Sequence, residues 1–123
     1  MSERTLEGCH VLIVEDEYML AEELSLALND AGAVVVGPAA ALKDALSLIK
    51  SGEKVDAALI DVNLRGESAY AAADLLLDRQ IPFVFTTGYD PRIIPEKYRQ
   101  IPTCEKPVNL ARVTSAIGRL VSS

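Results

Sequence analysis

The sequence predicts an α/β fold: a doubly wound, five-stranded parallel sheet of flavodoxin-like (βα)5 form, strand order 2-1-3-4-5, with an irregular fourth helix. Three observations predict it. Short apolar runs alternate with amphipathic segments along the whole chain, the pattern of βα units around a parallel sheet. The runs Val11–Val14, Ala57–Ile60 and Phe83–Phe85 are continuously apolar, as strands covered on both faces are. Each run gives way to polar residues at its carboxyl end, where open parallel sheets bind ligands: Glu15-Asp16-Glu17, Asp61 and Thr86-Thr87, with Lys106-Pro107 after a fourth short segment.

The first strand is expected over about Cys9–Glu15. The first helix follows over about Glu17–Ala31, because Leu20, Leu24, Ala27, Leu28 and Ala31 form one apolar stripe. Gly32 ends it. Ala33–Val36 reads as the second strand, closed by Gly37-Pro38. Leu42, Ala45, Leu46 and Ile49 mark the buried face of the second helix, with Gly52 beyond its end. Val55–Asp61 is the third strand, Val62–Glu67 a loop, and Ser68 the N-cap of an alanine-rich helix over Ala69–Asp78. Pro82–Thr86 is the fourth strand. Between Gly88 and Gln100, Pro91 and Pro95 interrupt a poor stripe, which predicts at most a short, irregular or mobile helix. Thr103–Glu105 is a short fifth strand. Asn109 caps the last helix, with Leu110, Val113, Ile117, Leu120 and Val121 facing inward. Right-handed crossovers place helices on both faces, and the topological switch falls between strands one and three.

The 123 residues fit one domain, read as 1–123, and half of them are apolar, enough for a core. No apolar run approaches the roughly 20 residues of a membrane span. Met1–Gly8 lacks the basic start and apolar stretch of a signal peptide, so the cytoplasm is the expected compartment. Cys9 and Cys104 lie at strand positions and suit small buried thiols; with no CxxC they do not make a zinc site. The net charge of −6 and the lack of a basic patch argue against direct nucleic-acid binding.

Carboxylates crowded on one sheet edge raise one another's pKa unless a cation joins them. Glu15, Asp16 and Asp61 therefore suit a hard, oxygen-seeking ion such as Mg²⁺, with Asp16 and Asp61 as direct ligands, Glu15 through water and the backbone carbonyl of Asn63 near enough in sequence to contribute. Asp61 is the candidate nucleophile toward phosphorus. Lys106 supplies a cation for phosphoryl oxygens, and Thr87 a hydroxyl. Thr86 competes with Thr87, but Thr87 stands at the very end of the strand. His10 reads as structural. Tyr89 stands just outside the pocket, as a shield from water or as packing. No phosphate-binding glycine motif and no Ser-His-Asp or Cys-His set is present. Asn63 breaks the Asp-x-Asp of a toprim-like nuclease, Glu15-Asp16-Glu17 does not match a haloacid-dehalogenase-like phosphatase, and three acids replace the hydroxyl-rich loop of a flavodoxin.

With these residues in place, the chain resembles a response regulator receiver domain, the phosphoacceptor module of two-component signalling. The motifs are VLIVEDE, LIDVNL, PFVFTTGY and CEKP. The resemblance implies Mg²⁺ at Asp16, Asp61 and the Asn63 carbonyl with Glu15 in the outer shell. It also implies phosphorylation of Asp61 by a histidine kinase or phosphotransfer protein, Thr87 as the switch hydroxyl, and a downstream protein as the target of a stand-alone receiver. Catalysis would be limited to the chain's own phosphorylation and dephosphorylation. Two features depart from the common pattern. Thr103 stands where many receivers carry Tyr or Phe, and PFVFTTGY is similar to a subgroup with a Phe-Ala-Thr-Gly signature and an irregular fourth helix. The segment 88–100 is then expected to be the switch, ordered by phosphorylation. The competing reading is an interaction module that keeps the fold and is not phosphorylated.

Overall fold

Alternation along a buried strand sends successive side chains to opposite faces. In β1 (His10–Val14) Val11 and Ile13 join one apolar cluster while Leu12 and Val14 join another. A computed structural model, describing residues 5–122, shows both clusters covered by helices. Met1–Arg4 and Ser123, on which the readings of the two chain ends partly rest, lie outside the described residues.

The elements that follow are α1 (Tyr18–Asp30), β2 (Val34–Ala39), α2 (Leu42–Lys50), β3 (Ala57–Asp61), β4 (Asn63–Leu64), β5 (Glu67–Ser68), α3 (Tyr70–Asp78), β6 (Phe83–Thr87), β7 (Thr103–Glu105) and α4 (Leu110–Ser122). The main sheet runs β2-β1-β3-β6-β7, with every neighbouring pair parallel, so the expected 2-1-3-4-5 order stands once the small hairpin is set aside. Leu24 and Leu28 of α1 pack with Val113 and Ile117 of α4 on Val11, Ile13, Leu59 and Val84. On the other face Ala45 and Ile49 of α2 and Ala72, Ala73 and Leu76 of α3 cover Leu12, Val14, Ile60, Phe83 and Phe85. The alanines let α3 approach the sheet closely.

Three local expectations need correction. β2 does not stop at Gly37-Pro38; it continues to Ala39 through a register shift opposite Leu12–Val14. Residues 62–67 are not a plain loop, because Asn63–Leu64 pairs antiparallel with Glu67–Ser68. That pairing takes up Ser68, so Ala69 stands at the N-cap of α3 with no side-chain cap. Between β6 and β7 the chain makes two 3-10 turns, Pro91–Ile93 and Glu96–Tyr98, the short irregular helix expected there. Pro91 and Pro95 have no N–H to give an α-helical ladder. Asn109 does cap α4, its Oδ1 accepting from Arg112 N at 3.0 Å. The thiols of Cys9 and Cys104 are free and half-buried, and burial pushes both pKa values up.

Gly32 turns the chain from α1 into β2 at φ +99°, and a Cβ there would lie 2.8 Å from the Glu7 Cα. Gly32→Ala is expected to destabilise by about 1–3 kcal/mol, read as a lower denaturant midpoint. An unchanged midpoint would show that the turn relaxes freely.

Candidate functional site

The register of the sheet assembles the site. Val14 lies beside Ile60, Asp61 beside Thr86 and Thr87 beside Glu105. The residues following β1, β3, β6 and β7 therefore share one edge, at the switch point between β1 and β3. Backbone contacts fix them further. Lys106 N donates to Thr87 O at 2.7 Å, and Arg65 N, from the β4–β5 turn, donates to Asp16 Oδ2 at 2.9 Å.

The centre of the site is the Lys106 ammonium. It donates to Glu17 Oε2 at 2.6 Å, Asp61 Oδ2 at 2.8 Å and Glu15 Oε2 at 3.3 Å. Asp61 is 4% exposed, and its Oδ1 accepts from Asn63 N at 3.0 Å. Glu15 is 2% exposed; its Oε2 also accepts from Glu17 N at 3.0 Å. Glu15 Oε1 is buried with no hydrogen-bond partner. One oxygen from each of Glu15, Asp16, Glu17 and Asp61 lies within 4.8 Å of the others.

Electrostatics follow from this crowding. Burial foremost, and the charge of Asp61, push the Glu15 carboxyl up to about 7 against the pull of Lys106 and the Glu17 N–H. Burial opposes the charge of Lys106, but its bonds to Asp61 and Glu17 outweigh this and hold it above the ordinary lysine range. A buried carboxylate with one oxygen lacking a donor, clustered with three further carboxylates, is what a hard cation would satisfy. The donor set fits Mg²⁺.

Of the residues singled out from sequence, Glu15, Asp61 and Lys106 meet directly, and Asp16 closes the cluster. Thr87 is fully buried at the same edge, but its hydroxyl serves the following turn: Oγ1 accepts from Tyr89 N at 2.9 Å. The Asn63 side chain bridges the rim, Nδ2 donating to the Tyr89 hydroxyl at 3.3 Å. His10 sits at the opposite end of β1, its Nδ1 3.6 Å from Asp56 Oδ2. Glu17 is the member that sequence reasoning missed. It was visible in the acidic triplet, but only the folded turn shows that its carboxylate reaches Lys106.

Fold and site together define a doubly wound α/β domain with an acid-and-lysine pocket at its switch point. Residues 11–117 match the response regulator receiver domain, and the chain belongs to that family. It is 29% identical over 111 residues to the phyllosphere-induced regulator PhyR of Methylorubrum extorquens, which covers 85% of this chain and 42% of that protein. The response regulator PhyR from Brucella abortus superposes with a TM-score of 0.81 at 28% identity, over 97% of this chain and 51% of that one. SdrG from Sphingomonas melonis Fr1 does so with a TM-score of 0.76 at 35% identity, over 89% of this chain and 96% of that one. The chain thus spans about half or less of the PhyR chains and nearly all of SdrG. Among the described residues no helix is long and apolar enough to cross a membrane.

Glu15 makes metal-free stability pH-dependent. Its folded pKa lies above the unfolded value, so its contribution is present below the ordinary 4.5 and is lost as pH rises through about 7. Lys106, charged throughout that window, does not oppose the trend. The loss is at most about 3 kcal/mol. Chemical denaturation in chelator at pH 5 and pH 8 should show wild type weaker at pH 8, with a flatter profile in Glu15→Gln. Parallel profiles for the two would contradict the assignment.

Proposed function

We propose that this receiver is a phosphoacceptor that takes a phosphoryl group on Asp61 from a histidine kinase or histidine phosphotransfer protein and thereby alters its contact with a downstream protein. The observation that carries the reading is the buried Asp61 carboxylate, 2.8 Å from Lys106 Nζ and clustered with the carboxylates of Glu15, Asp16 and Glu17.

An Asp61 oxygen attacks phosphorus, the bond from phosphorus to the donor imidazole nitrogen breaks, and an acyl phosphate forms as the imidazole leaves with the electron pair. Asp16, Asp61 and the Asn63 carbonyl would hold Mg²⁺, with Glu15 in its outer shell; bound there, it supplies positive charge to the phosphoryl oxygens. Lys106 transfers one hydrogen bond from Asp61 to a phosphoryl oxygen and keeps its grip on Glu17. The Thr87 hydroxyl leaves Tyr89 and donates to another phosphoryl oxygen. The attacking oxygen belongs to a carboxylate held by Lys106 and the Asn63 N–H, so the protein's share of the work is placement and charge compensation.

Segment 88–100 follows Thr87 directly, which supports it as the part that responds. It is already tethered in the unphosphorylated chain, so rearrangement suits it better than ordering from a disordered state.

The test is intact-mass spectrometry after incubation with acetyl phosphate. Wild type should gain one phosphoryl group with Mg²⁺ and none in chelator, and Asp61→Asn should gain none. A gain in Asp61→Asn, or no gain in wild type, would refute the assignment. Lys106→Ala should slow uptake by roughly 100-fold or more, the scale of losing one charged transition-state donor. A rate within twofold of wild type would remove Lys106 from the mechanism.

A further inference from the structure

Thr103 leaves the chain without an aromatic residue three positions before Lys106, and its hydroxyl turns to Ile101 O at 3.3 Å. An aromatic side chain nevertheless stands between the pocket and the irregular segment. Among residues 88–101 only Tyr98 is buried, at 3% exposure. Its ring stacks on Tyr70, the first residue of α3, with centroids 5.0 Å apart, and meets Phe85 edge-on at 5.5 Å. Its hydroxyl donates to Asp74 Oδ1 at 2.6 Å, and the same oxygen takes Lys97 Nζ at 3.1 Å. Asp74 is half-exposed, so this bond competes with water, whereas the ring contacts do not.

We propose that Tyr98 is the coupling aromatic of this chain, and that its hydroxyl bond to Asp74 is a latch which holds residues 91–101 on α3 and opens when Asp61 is loaded. The proposal rests on the phosphoacceptor reading of the pocket. Two connections carry it. Phe85 and Thr87 lie two apart on one face of β6, so a shift at Thr87 passes through Phe85 to the Tyr98 ring. Thr87 Oγ1 also accepts from Tyr89 N, at the start of the same segment. When the hydroxyl is drawn to a phosphoryl oxygen, that turn loses its fastening while the latch still holds the far end. The latch is the weaker restraint, because Asp74 is half-exposed and shares one oxygen between Tyr98 and Lys97, and the hydroxyl's other acceptor, Tyr70 O, is 3.4 Å away. An opening of ≈ 710 Å³ bounded by Pro91, Ile94, Tyr98, Ile101 and Thr103 gives the segment room to move. The short Thr103 side chain is part of what leaves that space. The element has two discrete arrangements, latched and unlatched, which a local event can select between.

Hydrogen exchange with beryllofluoride and Mg²⁺ as the phosphoryl mimic tests this on the full chain, and fluorine NMR reports whether the mimic is bound. In the unloaded protein, Tyr98→Phe keeps the ring and deletes the latch. It should raise exchange at the Arg99 and Ile101 amides, which donate to Glu96 O and Tyr98 O, about tenfold, the size of one lost hydrogen bond to a charged group. Asp74→Ala should do the same, and β1 and β3 should be unaffected in both. Loading wild type should reproduce the rise, and loading Tyr98→Phe should add nothing. A bound mimic with unchanged exchange in wild type overturns the latch alone, as does wild-type exchange in unloaded Tyr98→Phe. Absence of a bound-fluoride signal overturns the phosphoacceptor reading and the coupling with it.

Discussion

One ammonium group answering three carboxylates is the constraint around which this edge of the protein is arranged. Lys106 lies within hydrogen-bond distance of Glu15, Glu17 and Asp61, and Asp16 adds a fourth negative charge to the same small volume. In water such a cluster would spread apart; here strand register and backbone hydrogen bonds hold it together. The imbalance falls on Glu15, whose Oε1 is sealed from solvent and from every donor, and whose pKa rises for that reason. A site with surplus negative charge and a missing donor is prepared for a cation, and one already holding a lysine is prepared for an anion that arrives with it.

The two faces of the sheet have different tasks. The α1 and α4 face is regular, closed by aliphatic packing around Leu24, Leu28, Val113 and Ile117. The opposite face is closed at one end by an aromatic group, Tyr70, Phe83, Phe85 and Tyr98, and by a segment without α-helical hydrogen bonds. Most residues of that segment are exposed, which places it at the low end of local stability. The part of the molecule best able to move thus adjoins the part that would feel a change of charge.

The sheet order was readable because apolar runs with polar carboxyl ends are long-range information written locally: Val11–Val14 and Ala57–Ile60 have the continuous apolar character of doubly covered strands. Asp61 and Lys106 were readable for the same reason, since parallel topology brings strand ends together whatever the helices do. What escaped were contacts made by turns. Ser68 has the chemistry of a cap, but its backbone is used by the hairpin with Asn63. Glu17 stood in the acidic triplet but read as the first residue of the first helix, and only the direction of the turn after β1 aims it at Lys106. Tyr98 lies in a stretch with no periodicity, so nothing in the pattern marks it as buried; its place is set by Tyr70 and Phe85, distant in sequence. Thr87 is at the expected place, yet its hydroxyl is committed to the backbone of Tyr89, a local competition invisible to motif spacing.

On the phosphoacceptor reading, a divalent cation balances the surplus negative charge at this edge. Carbon-13 NMR of the Glu15 side-chain carboxyl, followed through a pH titration with and without Mg²⁺, tests it most directly. A midpoint near 7 in chelator that falls toward the ordinary 4.5 when Mg²⁺ is added is the predicted result. A midpoint that stays the same in both conditions would contradict it.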